Sequence, residues 1–291
     1  MPLTSTPLRY PGGKSQLRPL VRKMLSMEAM APQVYCEPYC GGAGIAIDLL
    51  IKEDVSHVFL NDADVGIFSF WRAVIEETDR FIDELQAVNV NYDTWCSFKA
   101  MRSELYEAHR DGGYSFDLGF ATFFLNRTNR SGIVDGGCIG GKNQSSKYKI
   151  DCRFNKRTLA KKIQKIGSLG SRVTVSNLDG ALFLDSYLPT KLDGMGWQPT
   201  EALVYLDPPY VMQGESLYLN SMNQESHAHL ADVLLGGVFD KWLLTYDDVG
   251  LVRDLYATCD LREIDIRYSA NKKKLAGEIA VFSPFYSPLE I

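Results

Sequence analysis

The stretch QVYCEPYCGGAGIAIDLLI, residues 33–51, predicts a buried strand, a glycine-rich turn and a helix in direct succession. A second short apolar run, HVFLND at residues 57–62, follows the predicted helix. Short apolar runs bounded by turn residues are typical of buried strands, and the segment between them has a helical pattern. Strand, helix and strand in this order form a βαβ unit, so the sequence predicts an α/β fold with a mostly parallel sheet.

The same alternation returns in the C-terminal part of the chain. Further strand and helix patterns occur at residues 172–177, 202–207, 224–235, 241–246 and 249–257. Near the C-terminus, LREIDIRYS and EIAVFS flank the loop ANKKKLAG. Two alternating runs joined by a short loop that contains glycine and lysine predict an antiparallel hairpin.

Residues 75–168 differ from the remainder of the chain in both pattern and charge. The strand signal fades there, and helical stretches precede the glycine-rich segment GIVDGGCIGGKNQ. Residues 127–165 hold eleven Lys and Arg against two acids, a net charge of +9 in a chain of net charge −5. A solvated helix face could carry such charges, but the glycines and aromatics among them favour a surface that follows phosphates. We therefore expect a mainly helical insertion in an α/β domain formed by residues 1–74 and 169–291.

Composition excludes several other classes of protein. The chain has 291 residues, of which 45% are hydrophobic, as in ordinary globular domains. No apolar run approaches the roughly 20 residues of a membrane span, and the N-terminus has no apolar signal core. The six cysteines are scattered and have no histidine nearby, which predicts free thiols and no metal site. The sequence thus predicts a cytoplasmic protein.

The glycine-rich turn EPYCGGAG, residues 37–44, predicts a nucleotide-shaped pocket beyond the end of the first strand. It differs from the G-x-G-x-x-G pattern of pyrophosphate sites. Asp62 ends the second strand 18 residues after Gly44, where an acid can accept hydrogen bonds from both hydroxyls of a ribose. The alternative for Asp62 is a cap on the helix that follows it.

The stretch YLDPPY, residues 205–210, ends an apolar strand with an acid, two prolines and an aromatic ring. Prolines fix φ and lack an N–H, so this backbone is stiff and its carbonyls remain acceptors. The Asp207 carboxylate and the Pro208 carbonyl can each accept one N–H of a ring amine, while Tyr210 can stack on the ring. The stretch therefore predicts a site that makes a poorly nucleophilic ring amine reactive, although a surface turn is the alternative.

Four motifs in this order resemble the Dam-type, N6-adenine-specific DNA methyltransferases in which the target-recognition segment lies between the cofactor and catalytic motifs. They are RYPGGKSQL at 9–17, EPYCGGAG at 37–44, FFLNRTNRSGI at 123–133 and DPPY at 207–210. The resemblance extends from Arg9 to the C-terminal hairpin. It implies a Rossmann-like S-adenosylmethionine-dependent methyltransferase fold with a helical DNA-recognition domain inserted at residues 75–168. It also implies methyl transfer to N6 of an adenine flipped out of double-stranded DNA, without a metal.

The resemblance also implies roles for individual residues. Cofactor contacts are expected at Tyr10, Lys14, Pro38, Gly41, Gly44, Asp62, Asp179 and Asp207. Catalytic roles are expected for Asp207, Pro208, Pro209 and Tyr210. By resemblance, DNA contacts are expected at Arg127, Asn129 and Arg130, and the charge of the basic segment adds Lys142 and Lys147 as expected DNA contacts. His227 and His229 begin a helix and are not expected to bind metal, while Asn177, Asp247 and the lysine loop at 271–274 receive no firm role.

Other functions remain open at this point. Methyltransferases that act on cytosine N4 in DNA commonly have Ser in place of Asp207, and those that act on RNA adenines commonly have Asn. A DNA-binding regulator has no need of the DPPY geometry, and a nucleotide-binding oxidoreductase requires a pyrophosphate turn that is missing here. We expect a nucleoid-associated monomer, with a dimer on DNA as the alternative. A role in restriction-modification, in regulation or in a mobile element stays open.

Overall fold

The computed structural model describes residues 5–9, 14–27, 33–211, 222–264 and 277–286. Tyr10 and the lysine loop at 271–274 therefore lie outside the described residues. Within the described ranges, no helix combines the length and the apolar character that crossing a membrane requires.

One sheet contains the seven strands of the described chain. They are β1 (Val34–Glu37), β2 (His57–Asn61), β3 (Val173–Ser176), β4 (Ala202–Leu206), β5 (Trp242–Asp247), β6 (Asp260–Ile264) and β7 (Glu278–Phe282). Their order in the sheet is β3-β2-β1-β4-β5-β7-β6. The pairs β1–β2, β1–β4 and β4–β5 are parallel, whereas β7 is antiparallel to β5 and β6. The predicted mostly parallel sheet and C-terminal antiparallel hairpin are confirmed.

Several of the helices in the described residues begin at a polar residue whose side chain caps them. The described helices are α1 (Arg18–Ser26), α2 (Gly44–Ile51), α3 (Val65–Glu76), α4 (Thr78–Ala87), α5 (Tyr92–Ala108), α6 (Phe116–Thr128), α7 (Lys156–Gly167), α8 (Gly180–Leu182), α9 (Leu188–Gly194), α10 (Gln224–Leu235) and α11 (Gly250–Leu255). A π-helical segment, Phe183–Tyr187, connects α8 and α9. The side chains of Asp64, Asn91, Ser115 and Asn155 accept hydrogen bonds from first-turn amides of α3, α5, α6 and α7. Such caps satisfy amides that have no partner within the helix.

The chain divides into two compact units. The first comprises Met1–Ser15, Gly41–Lys52 and Asp64–Asn177, and the second comprises Gln16–Cys40, Glu53–Ala63 and Leu178–Ile291. The first unit contains α2 to α7, and thus the helices predicted within residues 75–168. The assignment of 75–168 as a target-recognition domain stays a prediction.

Each unit has its own hydrophobic core. In the second unit, apolar residues of β1, β4, β5 and β7 pack with residues of the segment 181–192 and of α10. In the first unit, phenylalanine rings of α3, α4 and α6 contact one another, with Phe70 stacked on Phe123 at 5.8 Å and Phe81 edge-on to both. Burial of one such ring contributes about 1.5 to 3 kcal/mol, so both units hold substantial cores.

Candidate active site

The DPPY tip, residues 207–210, follows directly after β4, whose five residues are all buried. β4 pairs with β1 where the strand order reverses, which is the place where open α/β sheets bind ligands. Asp207 is partly exposed, and its Oδ1 accepts a hydrogen bond of 3.0 Å from the hydroxyl of Thr245 on β5. The neighbouring strand thus fixes the carboxylate in one orientation.

Two carboxylates on adjacent strands hold the chain just after the prolines. The Tyr210 hydroxyl donates to Glu278 Oε1 at 3.1 Å, and the Val211 N–H donates to Asp247 Oδ1 at 3.1 Å. Asp247 and Glu278 lie opposite each other in the register of β5 and β7. Burial, together with the charges of Asp207 and Glu278, raises the pKa of Tyr210 above its usual range, so the hydroxyl stays a donor.

Sequence reasoning missed Thr245, Asp247 and Glu278 as partners of the DPPY tip. The signal for them was present, because all three are polar residues in the strand patterns KWLLTYDD and EIAVFS. A buried polar side chain needs a hydrogen-bond partner, so such positions in an apolar strand mark places where another segment is bound. The strand pairing, which identifies that segment, comes only from the structure.

The loops that follow β1 and β3 are joined by the fully buried Asn61, the last residue of β2. Its Nδ2 donates to the carbonyls of Pro38 and Leu178, each at 2.9 Å, and its Oδ1 accepts from the Leu178 N–H at 3.1 Å. The Cys40 N–H donates to the Asn61 carbonyl at 2.8 Å. One carboxamide therefore joins two loops at the carboxyl ends of the strands, where the cofactor was predicted. The sequence did not predict this role for Asn61.

Asp62 does not cap the helix that follows it. The cap of α3 is Asp64, whose Oδ1 accepts from the amides of Gly66 and Ile67 at 2.8 and 3.0 Å. Asp62 is partly exposed, and its Oδ2 lies 3.9 Å from the buried Cys40 thiol. The alternative that Asp62 caps this helix is therefore wrong, because Asp64 is the cap. The ribose contact of Asp62 stays a prediction.

Asp179 is an exposed cap at the start of α8. Its Oδ1 accepts from the amides of Ala181 and Leu182 at 2.9 and 3.1 Å. The next residue, Gly180, lies against the Tyr39 ring, where a Cβ atom would be 2.3 Å from Tyr39 Cζ. Among the residues that the structure describes, the buried Tyr39 hydroxyl has no hydrogen-bond partner. The predicted cofactor site therefore contains a buried hydroxyl that could form a hydrogen bond with a ligand.

Three further predicted cofactor contacts lie in the first unit. Lys14 is buried. Gly41 has a φ of +44°, which favours glycine, and its carbonyl accepts from Trp71 Nε1 at 2.9 Å. Gly44 begins α2, and a Cβ atom there would approach Thr6 Cγ2 only to 3.9 Å, an ordinary contact. The turn therefore requires glycine at residue 41 more than at residue 44.

The basic segment has two kinds of residue. Asn129 is fully buried: its Oδ1 accepts from Trp95 Nε1 at 2.6 Å, and its Nδ2 donates to the carbonyls of Ile133 and Val134. The Arg127 guanidinium donates to backbone carbonyls at residues 7 and 153, and burial, followed by the charges of residues 9 and 153, lowers its pKa to about 10. These two predicted DNA contacts are engaged within the first unit.

Three other predicted DNA contacts, Arg130, Lys142 and Lys147, are exposed. The loop that presents them is ordered by Gln144, whose Nε2 donates to the carbonyl of Ile139 at 2.8 Å and whose Oε1 accepts from the Ile150 N–H at 2.8 Å. An ordered loop with exposed cations can contact a polyanion with little loss of conformational entropy.

The two histidines of α10 have different surroundings. His227 is buried, with Nδ1 2.5 Å from the Tyr246 hydroxyl, whereas His229 is exposed. Burial lowers the pKa of His227. Different exposure of the two rings does not suit a shared metal, and the absence of a metal stays a prediction.

This strand order and the site at its reversal define a Rossmann-like S-adenosylmethionine-dependent methyltransferase fold. The family model of the D12 class N6 adenine-specific DNA methyltransferases matches residues 10–270, and the chain belongs to this family. It is 26% identical over 217 residues to the Type II methyltransferase M.MjaIII of Methanocaldococcus jannaschii, which covers 70% of this chain and 68% of that protein. It is also similar to the solved rRNA methyltransferase aviRa from Streptomyces viridochromogenes, with a TM-score of 0.38 and 14% identity over 94% of this chain and 86% of the other.

Proposed function

We propose that this DNA methyltransferase transfers a methyl group from S-adenosylmethionine to N6 of an adenine that has been flipped out of double-stranded DNA. The observation that carries the proposal is the DPPY tip, held by Thr245 at Asp207, by Glu278 at Tyr210 and by Asp247 at Val211. Such a fixed set of acceptors is useful when a planar amine must be oriented before reaction.

Residues of the second unit would orient the target amine of the adenine and make it more nucleophilic. The Asp207 carboxylate and the Pro208 carbonyl accept the two N–H groups, which returns electron density to the nitrogen lone pair. The N–C bond forms as the C–S bond to the departing thioether breaks, and the extra proton on the product amine leaves to water. No strong base is required, which agrees with the assignment of the carboxylate as an acceptor.

The predicted cofactor site at the carboxyl ends of the strands suits S-adenosylmethionine, which supplies an electrophilic methyl group when it is bound. Asp62 and Asp179 offer carboxylates for ribose hydroxyls and an adenine amine. Tyr39 offers a buried hydroxyl that has no partner within the described part of the chain. Pro38 and Asp207 are the further contacts proposed in this unit. For the first unit, the proposed contacts with the cofactor remain Lys14, Gly41 and Gly44, on the family resemblance.

Extrusion of the target base costs a few kcal/mol, because its stacking and pairing are lost. Stacking on an aromatic ring contributes about 1 to 3 kcal/mol, which Tyr210 would supply. We assign direct phosphate or base contacts to the exposed Arg130, Lys142 and Lys147. Arg127 and Asn129, whose side chains bond within the first unit, would support this loop from behind.

The test is the identity of the methylated nucleoside. The protein is incubated with labelled S-adenosylmethionine and with duplex DNA or RNA, and the nucleic acid is digested to nucleosides. We expect label in N6-methyladenine from DNA, and none with Asp207→Ala, which should still bind DNA. Label in N4-methylcytosine, label only in RNA, or full turnover by Asp207→Ala would contradict the proposal.

A further inference from the structure

Thr245 lies at the junction of three polar groups inside the sheet. Its side chain is fully buried on β5. Its Oγ1 is 3.0 Å from Asp207 Oδ1, 3.0 Å from the Tyr205 hydroxyl and 3.4 Å from the Leu206 carbonyl. Thr245 therefore links the carboxylate of the DPPY tip to the interior of the sheet.

The directions of these hydrogen bonds follow from the chemistry of the groups. A hydroxyl has one hydrogen to donate, and an ionised carboxylate only accepts. The shorter distance assigns the Thr245 hydrogen to Asp207 rather than to the Leu206 carbonyl. Burial, followed by the charge of Asp207, raises the pKa of Tyr205 well above its usual range, so Tyr205 keeps its proton and donates to Thr245. The chain of hydrogen bonds therefore runs from Tyr205 through Thr245 to Asp207.

We propose that Thr245 is a positioning residue for methyl transfer, which holds the Asp207 carboxylate in the orientation that accepts the target amine. This inference rests on the proposed role of Asp207 as that acceptor. The backbone of the tip is stiffened by Pro208 and Pro209, but prolines leave χ1 and χ2 of the preceding aspartate undetermined. The Thr245 hydroxyl constrains these torsions through its hydrogen bond to Oδ1, and Tyr205 orients the hydroxyl in turn.

The alternative is that Thr245 only fills space in the sheet. Valine has the same shape and keeps the β-branch, so Thr245→Val removes the hydroxyl while it preserves the packing. Thr245→Ser restores the donor at smaller volume, and Thr245→Cys matches serine in size but donates weakly. The control is Thr122→Val, because Thr122 is also fully buried and its hydroxyl has no partner among the described residues.

The experiment measures single-turnover methylation, DNA affinity and thermal unfolding for these variants. We expect Thr245→Val to slow methyl transfer roughly tenfold to hundredfold, the range of one hydrogen bond to a charged group. DNA affinity should stay within about twofold, Thr245→Ser should recover most of the rate, and Thr122→Val should match the wild type. Tyr205→Phe should have a smaller effect, because Thr245 can still donate to Asp207.

Two results would overturn the inference. One is a wild-type rate for folded Thr245→Val while Asp207→Ala is inactive, which rejects the role of Thr245 and leaves the proposed function intact. The other, decisive if the valine variant does not fold, is an equal rate for Thr245→Ser and Thr245→Cys. Failure of the proposed function is separate, because Asp207→Ala would then remain active.

Discussion

The Tyr210 hydroxyl donates a hydrogen bond of 3.1 Å to Oε1 of Glu278, which lies on the antiparallel strand β7. A residue predicted to stack on the target base is therefore fixed by the hairpin at the C-terminal edge of the sheet. The hairpin formed by β6 and β7, in which β7 pairs with β5, thus directly supports the proposed site.

Two variants of Tyr210 should distinguish the contribution of its ring from the contribution of its hydroxyl. Tyr210→Ala is expected to weaken capture of the flipped base by about 1 to 3 kcal/mol, because the stacking surface is lost. Tyr210→Phe keeps the ring and should lose less than tenfold in rate. Once the target adenine is mapped, 2-aminopurine fluorescence at that position measures base capture. Equal fluorescence for the alanine variant and the wild type would exclude stacking by Tyr210.

Removal of the Asn61 carboxamide should destabilise the second unit. Asn61→Leu leaves the Pro38 carbonyl and both backbone polar groups of Leu178 without that partner. At about 1 to 3 kcal/mol for each unsatisfied buried group, we expect a loss of at least roughly 3 kcal/mol in the free energy of unfolding. Asn91→Ala, which removes only an exposed helix cap, should cost about 1 kcal/mol. Similar losses for the two variants in urea unfolding would argue against the joining role.

A methyl group at residue 180 should disturb Tyr39. Gly180→Ala places a Cβ atom 2.3 Å from Tyr39 Cζ, so the ring or the helix must move. We expect a cost of about 1 to 3 kcal/mol in stability, and weaker S-adenosylmethionine binding by calorimetry. Gly194→Ala is the control, because among the described residues no heavy atom beyond its chain neighbours and its own helix backbone lies within 4 Å of its Cβ position. Unchanged stability and cofactor affinity in Gly180→Ala would show that Tyr39 is not fixed there.

His227 should make stability depend on pH. Burial lowers its pKa below the usual value of 6.5, so the unfolded chain takes up this proton more readily than the folded one. The stabilising contribution is then complete above about pH 6.5 and is lost as the pH falls through the lowered pKa of the folded state. Between pH 8 and pH 5, wild-type stability in urea should fall more than that of His227→Gln. Parallel pH profiles would contradict this prediction.

The exposed lysines of the basic segment should contribute to DNA binding through contacts with the phosphates of the DNA. Lys142→Glu with Lys147→Glu is expected to weaken DNA binding for all sequences and to reduce the slope of log affinity against log salt by about two. Lys23→Glu with Lys191→Glu makes the same change in net charge at exposed positions elsewhere. A salt slope that falls equally in both pairs would mean that overall charge, rather than this segment, explains the effect.

Much of the architecture could be predicted from sequence because local patterns encode it. The alternation of buried runs and helical segments predicted the parallel sheet, and the spacing of the last two runs predicted the antiparallel hairpin. The DPPY tip was recognisable because proline restricts the backbone in any context. The cap of α3 was less certain, since two acids two residues apart both precede that helix, and only the backbone geometry selects Asp64.

By itself, the sequence determined the fold class, the family and the rigid tip with its acid and its ring. Tertiary structure alone decided which side chains support that tip, because Thr245, Asp247 and Glu278 reach it through strand pairing across dozens of residues. It also separated Asn129, whose hydrogen bonds are used internally, from Arg130, which is exposed. Adjacent residues in a sequence can carry similar polar groups. What those groups can bind is determined by their burial and by the geometry of their partners, and both depend on distant segments of the chain.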